Sequence, residues 1–209
     1  MDIGAGTGAF AIPIMEEGAY VTAIDSSFNM INSLINRANL HKLKNIKCII
    51  GPFHRTSPVK HDISISAFSG GCTKTPESIK NMLNLVNEYS FIISSFENQD
   101  NNFKTNILYE MLDRPAHTRR THKNTLADTL NILDNLKYEY NYKEIEYEFS
   151  QYFDDFNEAL DFFIDRINII ENRELDILKE FLNKFLLKKD DQYTFENIKK
   201  SWIITIKSF

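Results

Sequence analysis

Asp2, Gly4, Gly6, Gly8 and Asp25 are the residues of this 209-residue chain whose types and spacing could do chemistry together. Glycines at alternate positions let a backbone turn tightly out of a strand and approach a ligand where a Cβ would collide. The helix expected after them presents unpaired amide N–H groups to whatever sits there. Asp25 ends the next apolar run, residues 19–24, and is predicted beside the loop at the carboxyl edge of a sheet. A carboxylate in that place can accept hydrogen bonds from both hydroxyls of a ribose. Strand, glycine loop, helix, strand and terminal acid describe a pocket for a nucleoside-type cofactor. Gly4, Gly6 and Ala9 also satisfy the G-x-G-x-x-G/A fingerprint of dinucleotide binding, so the glycines alone do not choose the nucleotide.

The elements that must hold these residues follow from the hydrophobic pattern. Residues 19–24, 45–50, 61–67 and 89–95 read as buried strands, the second stopped by Gly51-Pro52 and the third by Gly70-Gly71. Between them, a helix from Phe28 toward Leu43 carries Ile31, Leu34 and Ile35, with Ser26 or Ser27 as its N-cap, and Pro76 opens another through Leu83 and Val86. Strands alternating with helices at this rhythm predict βαβ units and a parallel sheet covered on both faces.

The second half has a different grammar. Residues 98–123 are polar and predict an irregular loop or lid; Leu126, Leu130, Leu133 and Leu136 then mark an amphipathic helix. From residue 138 to 149 aromatic and apolar residues alternate with charge, as in a half-exposed antiparallel strand. Their parity changes near Asn141, as a bulge or bend would make it. Asp154 or Asp155 can cap a helix striped by Leu160, Phe163, Ile164 and Ile167, and Leu175, Leu178, Phe181, Leu182 and Phe185 stripe another. Residues 188–191 read as a turn and 202–207 as a final strand. The predicted fold class is α/β: a doubly wound, Rossmann-like, mostly parallel sheet with a C-terminal antiparallel strand pair and a helical insertion at about residues 155–188. One domain over residues 1–209 is expected, with a cofactor-binding half, 1–97, and a substrate-side half, 98–209.

Lys and Arg number 24 against 29 Asp and Glu, a net charge of −5, which gives no global field to attract DNA or an acidic bilayer. Nucleic acid is disfavoured as a partner. Cys48 and Cys72 form no C-x-x-C pair, and no histidine pair has ligand spacing with a carboxylate, so neither a disulfide framework nor a metal site is expected. No apolar run reaches the ~18 residues of a membrane span, and residues 1–20 lack the basic and apolar regions of a signal peptide. A cytoplasmic location is the default expectation.

Residues 2–8 have the form (D/E)-x-G-x-G-x-G, and here the chain resembles the class I S-adenosylmethionine-dependent methyltransferases. Residues 11–14 and 18–26 continue the likeness, and the order of elements extends it over almost the whole chain. The resemblance implies S-adenosyl-L-methionine as cofactor, with Gly4, Ala5, Gly6 and Gly8 on its methionine moiety and Asp2 near the amino group. It further implies that Asp25 and Ser26 hold the ribose, Phe53 lies against the adenine, and Ser66, Ala67 and Phe68 flank the methyl group, Phe68 toward the acceptor. A transferase acting on a small molecule is the implied activity. Residues 66–70 lack the (D/N)-P-P-(Y/F) tetrad that holds a planar nitrogen in amino-methylating members, so an oxygen, sulfur or carbon acceptor is preferred.

The chain also departs from the family. Many members place an acid after the third strand for the adenine amino group, where this chain reads Gly51-Pro52-Phe53-His54. His54 is a candidate base against the blander reading of a loop histidine. His117, with Arg114, Arg119, Arg120, His122 and Lys123, lies in the one concentrated basic segment, either a solvated loop or a lid for an anionic substrate. The apolar faces of helices 155–187 suit a helical layer, a substrate cover or a homodimer face. Because the family sets a whole strand before the glycines and only Met1-Asp2-Ile3 precedes Gly4, the chain is expected to be shortened at its N-terminus and to bind cofactor weakly. Two rival readings stand beside the methyltransferase: an NAD-dependent oxidoreductase, though no Tyr-x-x-x-Lys pair is present, and a non-catalytic module that keeps the fold.

Overall fold

A computed structural model describes residues 1–56, 58–69, 75–95, 102–115, 126–189 and 191–208. In chain order its elements are β1 (Asp2–Ile3), α1 (Ala11–Glu16), β2 (Val21–Asp25), α2 (Phe28–Leu40), β3 (Ile46–Ile50), β4 (His61–Ala67), α3 (Pro76–Leu83), β5 (Val86–Ser95) and α4 (Thr105–Met111). There follow α5 (Leu126–Leu136), β6 (Tyr140–Glu148), β7 (Gln151–Phe153), α6 (Phe156–Ile167), α7 (Asn172–Phe185), β8 (Leu187–Lys189), β9 (Gln192–Phe195) and β10 (Ile198–Lys207). The chain divides into two compact units, residues 1–96, 122–145 and 201–209 in the first and 97–121 with 146–200 in the second.

The first unit is built on a sheet of order β3-β2-β1-β4-β5-β10-β6. Strands β3, β2, β1, β4 and β5 are parallel, and β10 runs antiparallel to β5 from Ser201 opposite Ser95 to Lys207 opposite Tyr89. Chain order reverses between β1 and β4, the switch point at which open α/β sheets bind ligands beyond their carboxyl ends. Both faces are covered because the strands carry apolar residues on both. Ile3, Ile24, Ile92, Trp202 and Ile204 pack with Ile79 and Met82 of α3 and Leu133 of α5, while Val21 and Ala23 pack with Ile12 and Met15 of α1 and Ile31 and Leu34 of α2. Each such isoleucine or leucine contributes about 1.5–3 kcal/mol by leaving water. The serines inside the sheet are matched to one another: Ser64 Oγ donates to Ser90 Oγ at 2.8 Å from the opposite register position.

Helix boundaries fall where the local chemistry puts them. Ser27 caps α2 by accepting from Met30 N at 3.4 Å, and Thr75 caps α3 by accepting from Ser78 N at 3.1 Å with Pro76 at the first position, where a missing N–H is harmless. Along β6, Tyr140 is half-buried, residues 141–144 are exposed, and Ile145 and Tyr147 are half-buried, so the change of parity near Asn141 is present in the burial pattern.

The second unit departs from expectation in two places. The polar stretch predicted as loop or lid contains α4, which turns Leu108 inward. Lys188 and Lys189, predicted as part of a turn, lie in strand β8, which pairs with β9, and the two form with β7 a separate antiparallel sheet of order β7-β9-β8. The core here is aromatic. Phe163 and Phe195 lie 5.3 Å apart, and Phe181 stacks on Phe195 at 5.8 Å. Asp155 caps α6 by accepting from Asn157 N and Glu158 N at 2.7 and 2.9 Å.

Arg114 joins three elements of this unit. Its guanidinium donates to Ile167 O at 2.8 Å and Asn168 O at 3.2 Å, the open end of α6, and to Glu174 Oε1 in the first turn of α7. Glu174 in turn accepts from Ile170 N and Glu171 N. Arg114→Ala is expected to speed amide hydrogen exchange across residues 168–175 about tenfold, because the two carbonyls at the end of α6 and the Glu174 carboxylate lose a charged donor; unchanged protection there would show that the junction holds without it. Among the described residues no helix is long and apolar enough to cross a membrane.

Candidate cofactor site

The glycine loop leaves β1 by bending over the end of β2. Gly4 N and Ala5 N both donate to Ile24 O, at 2.8 and 3.0 Å, and Gly8 N closes a turn onto Ala5 O at 2.9 Å. The three glycines have φ of 75°, 54° and 89°, the left-handed region where a side chain is strained. Their surroundings separate their roles. A Cβ on Gly4 would overlap the Ser69 side chain beyond β4, and one on Gly8 would overlap Leu34 of α2 and reach 3.1 Å from Ile12 of α1. On Gly6 a Cβ would meet nothing within 4 Å and would project into the open space before the loop.

Asp25 faces that space and braces it. Its Oδ2 accepts from Gly6 N at 2.9 Å and its Oδ1 from Ser27 N at 2.8 Å, so one carboxylate fixes both the loop and the entry to α2. Each oxygen keeps a second lone pair for a further donor. Around this pair, Gly51 N donates to Asp25 O at 2.9 Å, drawing the end of β3 inward, and Arg37 Nη1 of α2 donates to Thr7 O at 2.8 Å.

Asp2 sits behind the loop, 2% exposed, with Oδ2 buried and without a partner. Burial pushes its carboxyl up from 3.8 to about 6, against the pull of the Met1 ammonium and an N–H from Ala11; the nearby Asp25 carboxylate adds to the rise. A raised carboxyl means that the folded chain holds this proton more tightly than the unfolded one. The stabilisation is therefore complete below about pH 4 and lost as pH rises through about 6, amounting to about 3 kcal/mol. A cation placed against Oδ2 reverses the shift. Ligand binding near pH 6 is thus expected to release a proton, read by calorimetry as a heat that varies with the ionisation enthalpy of the buffer, and Asp2→Asn should abolish that variation.

The remaining expected site residues are distributed along the same edge. Ala5 is buried in the loop and Ser26 is exposed after Asp25. Phe53 opens a single 3-10 turn (Phe53–Arg55), its ring buried among core residues of the first unit, and His54 beside it is exposed. At the end of β4, Ser66 is buried, Ala67 is half-buried and Phe68 is 56% exposed. His117 lies outside the described residues, as do Arg119, Arg120, His122 and Lys123. Sequence reasoning missed the exposed apolar residues that flank Asp25: Phe28 and Met30 on the first turn of α2, and Ile50, which stands opposite Asp25 in the β2–β3 register. The available signal was that Phe28 and Met30 fall off the buried stripe of α2.

These residues fit S-adenosylmethionine on three counts: an acceptor pair for ribose hydroxyls on Asp25, an unpartnered buried carboxylate oxygen for an ammonium on Asp2, and a space at Gly6 that any side chain would fill. The sequence model of a family described as a methyltransferase domain matches residues 1–149. The chain belongs to this methyltransferase family. Solved structures align with it over all or nearly all of its length. The YcgJ protein of Bacillus subtilis matches at 14% identity and a TM-score of 0.59, covering 100% of this chain and 91% of that one. Precorrin-6y C5,15-methyltransferase of Geobacter metallireducens matches at 11% identity and a TM-score of 0.57, covering 100% and 78%. Magnesium protoporphyrin IX methyltransferase of Synechocystis, crystallised with bound SAH, the demethylated cofactor, matches at 14% identity and a TM-score of 0.54, covering 99% and 73%. No curated protein sequence matches this methyltransferase. Its fold is the Rossmann-like one of the class I S-adenosylmethionine-dependent enzymes, and the formal dinucleotide fingerprint at Gly4, Gly6 and Ala9 lies within a methyltransferase glycine loop.

Proposed function

We propose that this methyltransferase binds S-adenosyl-L-methionine along the carboxyl edge of β1, β2 and β4 and methylates a small molecule through oxygen, sulfur or carbon. The observation that carries the reading is the clamp of Gly6 N and Ser27 N on the two oxygens of Asp25, which leaves both oxygens one free acceptor site beside an open glycine. The cofactor supplies a sulfonium methyl group: the acceptor's electron pair forms the new bond, the S–CH3 pair stays on sulfur, and the acceptor's proton passes to solvent. Asp25 anchors the ribose, Asp2 faces the ammonium, and the loop's alternating left-handed glycines admit the methionine chain to the backbone. Phe28, Met30 and Ile50 offer apolar surface to the adenine where an acid after β3 is missing. Direct displacement at a methyl carbon depends chiefly on aligning donor and acceptor, so these binding residues carry most of the chain's share of catalysis.

Calorimetry with S-adenosylmethionine and S-adenosylhomocysteine tests this directly. Saturable binding of both at one site is expected, with NAD giving no heat. A folded protein that binds neither would end the reading.

A further inference from the structure

A cavity of about 380 Å³ opens on the first unit where β5 begins and β10 ends, lined by Tyr89, Glu139, Tyr140, Asn141, Thr205 and Lys207. The strand register separates it from the glycine loop. Asp2 of β1 stands beside Ile65 of β4, so Gly4 leaves the sheet level with Ala67, which is paired with Ile93 of β5. Tyr89 lies four residues, roughly 13 Å, back along β5 from that level. The cavity therefore belongs to the amino edge of the parallel strands and the glycine loop to their carboxyl edge.

The charges that line the cavity are uncommitted. Lys207 lies directly opposite Tyr89, with Thr205 two residues away on the same face, and Lys207 N donates to Glu139 O at 3.3 Å, which makes the two charged residues neighbours across strands. Opposite charges so placed ordinarily pair. Among the described residues, neither the Lys207 ammonium nor the Glu139 carboxylate has an ion pair or a hydrogen bond. The Asn141 amide and the Thr205 and Tyr89 hydroxyls are equally without one. Both charges line one hollow instead of meeting, together with neutral donors and acceptors and an aromatic ring that is 40% exposed. Its volume is within the range of small-molecule sites.

We propose that this cavity binds a free α-amino acid, with its carboxylate on Lys207, its ammonium on Glu139 and its side chain over the Tyr89 ring. Adjacent strands hold the backbones of the two charged residues about 5 Å apart. An α-amino acid carries both of its own charges on a single carbon, so one molecule answers the pair. A simple anion would sit beside the Glu139 carboxylate, and a simple cation beside the Lys207 ammonium, each with one like charge against it. The Tyr89 ring offers a stiff face to an apolar or aromatic side chain. Because the cavity and the glycine loop occupy opposite edges of the sheet, the site stands apart from the cofactor reading above.

The test compares L-phenylalanine with phenethylamine, which lacks the carboxylate, and 3-phenylpropionate, which lacks the ammonium, by titration NMR of the protein amides. Phenylalanine is expected to bind at least tenfold more tightly than either analogue and to shift the amides of Tyr89, Asn141 and Lys207. Lys207→Met should bring phenylalanine down to the affinity of phenethylamine, and Glu139→Gln down to that of 3-phenylpropionate. Both variants should keep the melting temperature, since both side chains are exposed. Tyr89→Ala should remove the preference for phenylalanine over L-alanine. A wild type that binds no phenylalanine, or binds it no more tightly than the analogues, overturns the proposal. So do amide shifts confined to other residues, or Lys207→Met and Glu139→Gln proteins that bind phenylalanine as wild type does.

Discussion

Asp25→Ala is expected to lower affinity for S-adenosylmethionine about a hundredfold while leaving the protein folded. The carboxylate does two things at once, and the substitution removes both. In the proposed site two ribose hydroxyls would lose charged acceptors, each worth about 1.5–3 kcal/mol, and even the lower figure for both gives about 3 kcal/mol, or two powers of ten. Gly6 N and Ser27 N also lose their acceptors, which loosens the loop that the methionine must follow. Asp25→Asn is the sharper variant because it keeps size. Its single carbonyl oxygen can serve Gly6 or Ser27 but not both, and its amide donor then faces an N–H. It is expected to fall within a factor of ten of Asp25→Ala. Titration calorimetry with S-adenosylhomocysteine checks both variants, and an affinity within threefold of wild type in Asp25→Ala would mean that the ribose is held elsewhere.

Alanine at two glycines of the same loop should have opposite signatures. Gly8→Ala is expected to cost about 2–4 kcal/mol of stability: a left-handed backbone strains the new Cβ, and Leu34 and Ile12 must move to admit it. For a chain of this size that lowers the melting temperature by roughly 5–15 °C. Gly6→Ala carries only the backbone strain, about 1 kcal/mol, because its Cβ meets no protein atom. That Cβ instead enters the space proposed for the ligand, so cofactor affinity should fall at least about tenfold, the equivalent of about 1.4 kcal/mol of lost contact. Thermal unfolding and calorimetry on the pair separate the outcomes. If Gly6→Ala bound normally and Gly8→Ala melted normally, the division between a ligand-facing and a packing-facing glycine would be wrong.

The βαβ half of this protein was legible because its signals are local and redundant. Two of the strands in residues 19–95 are apolar runs closed by Gly51-Pro52 and Gly70-Gly71, and Ser27 and Pro76 mark helix starts that the structure reproduces. The same reasoning missed α4 because Thr105–Met111 buries only Thr105 and Leu108, too few positions to show a period. It missed β8 and β9 because strands of three and four residues are too short to show an alternation. In the site, Asp25 and the glycines could be read from spacing alone. The orphaned oxygen of Asp2 and the exposure of Phe28, Met30 and Ile50 could not, since each depends on what distant segments leave uncovered.

The placement of β10 has a consequence for synthesis. It fills the slot between β5 and β6, and its residues 201–207 pair with a strand that emerges more than a hundred residues earlier. During translation the ribosome therefore releases β1 to β5 with the outer rim of β5 unpaired, carrying Phe91, Ile92 and Ile93, until the final strand arrives. The parallel half has its glycine loop and Asp25 in hand long before its sheet is closed. A nascent chain stalled after β9 should recruit chaperones through that rim, and cofactor added during synthesis has a half-built protein to stabilise.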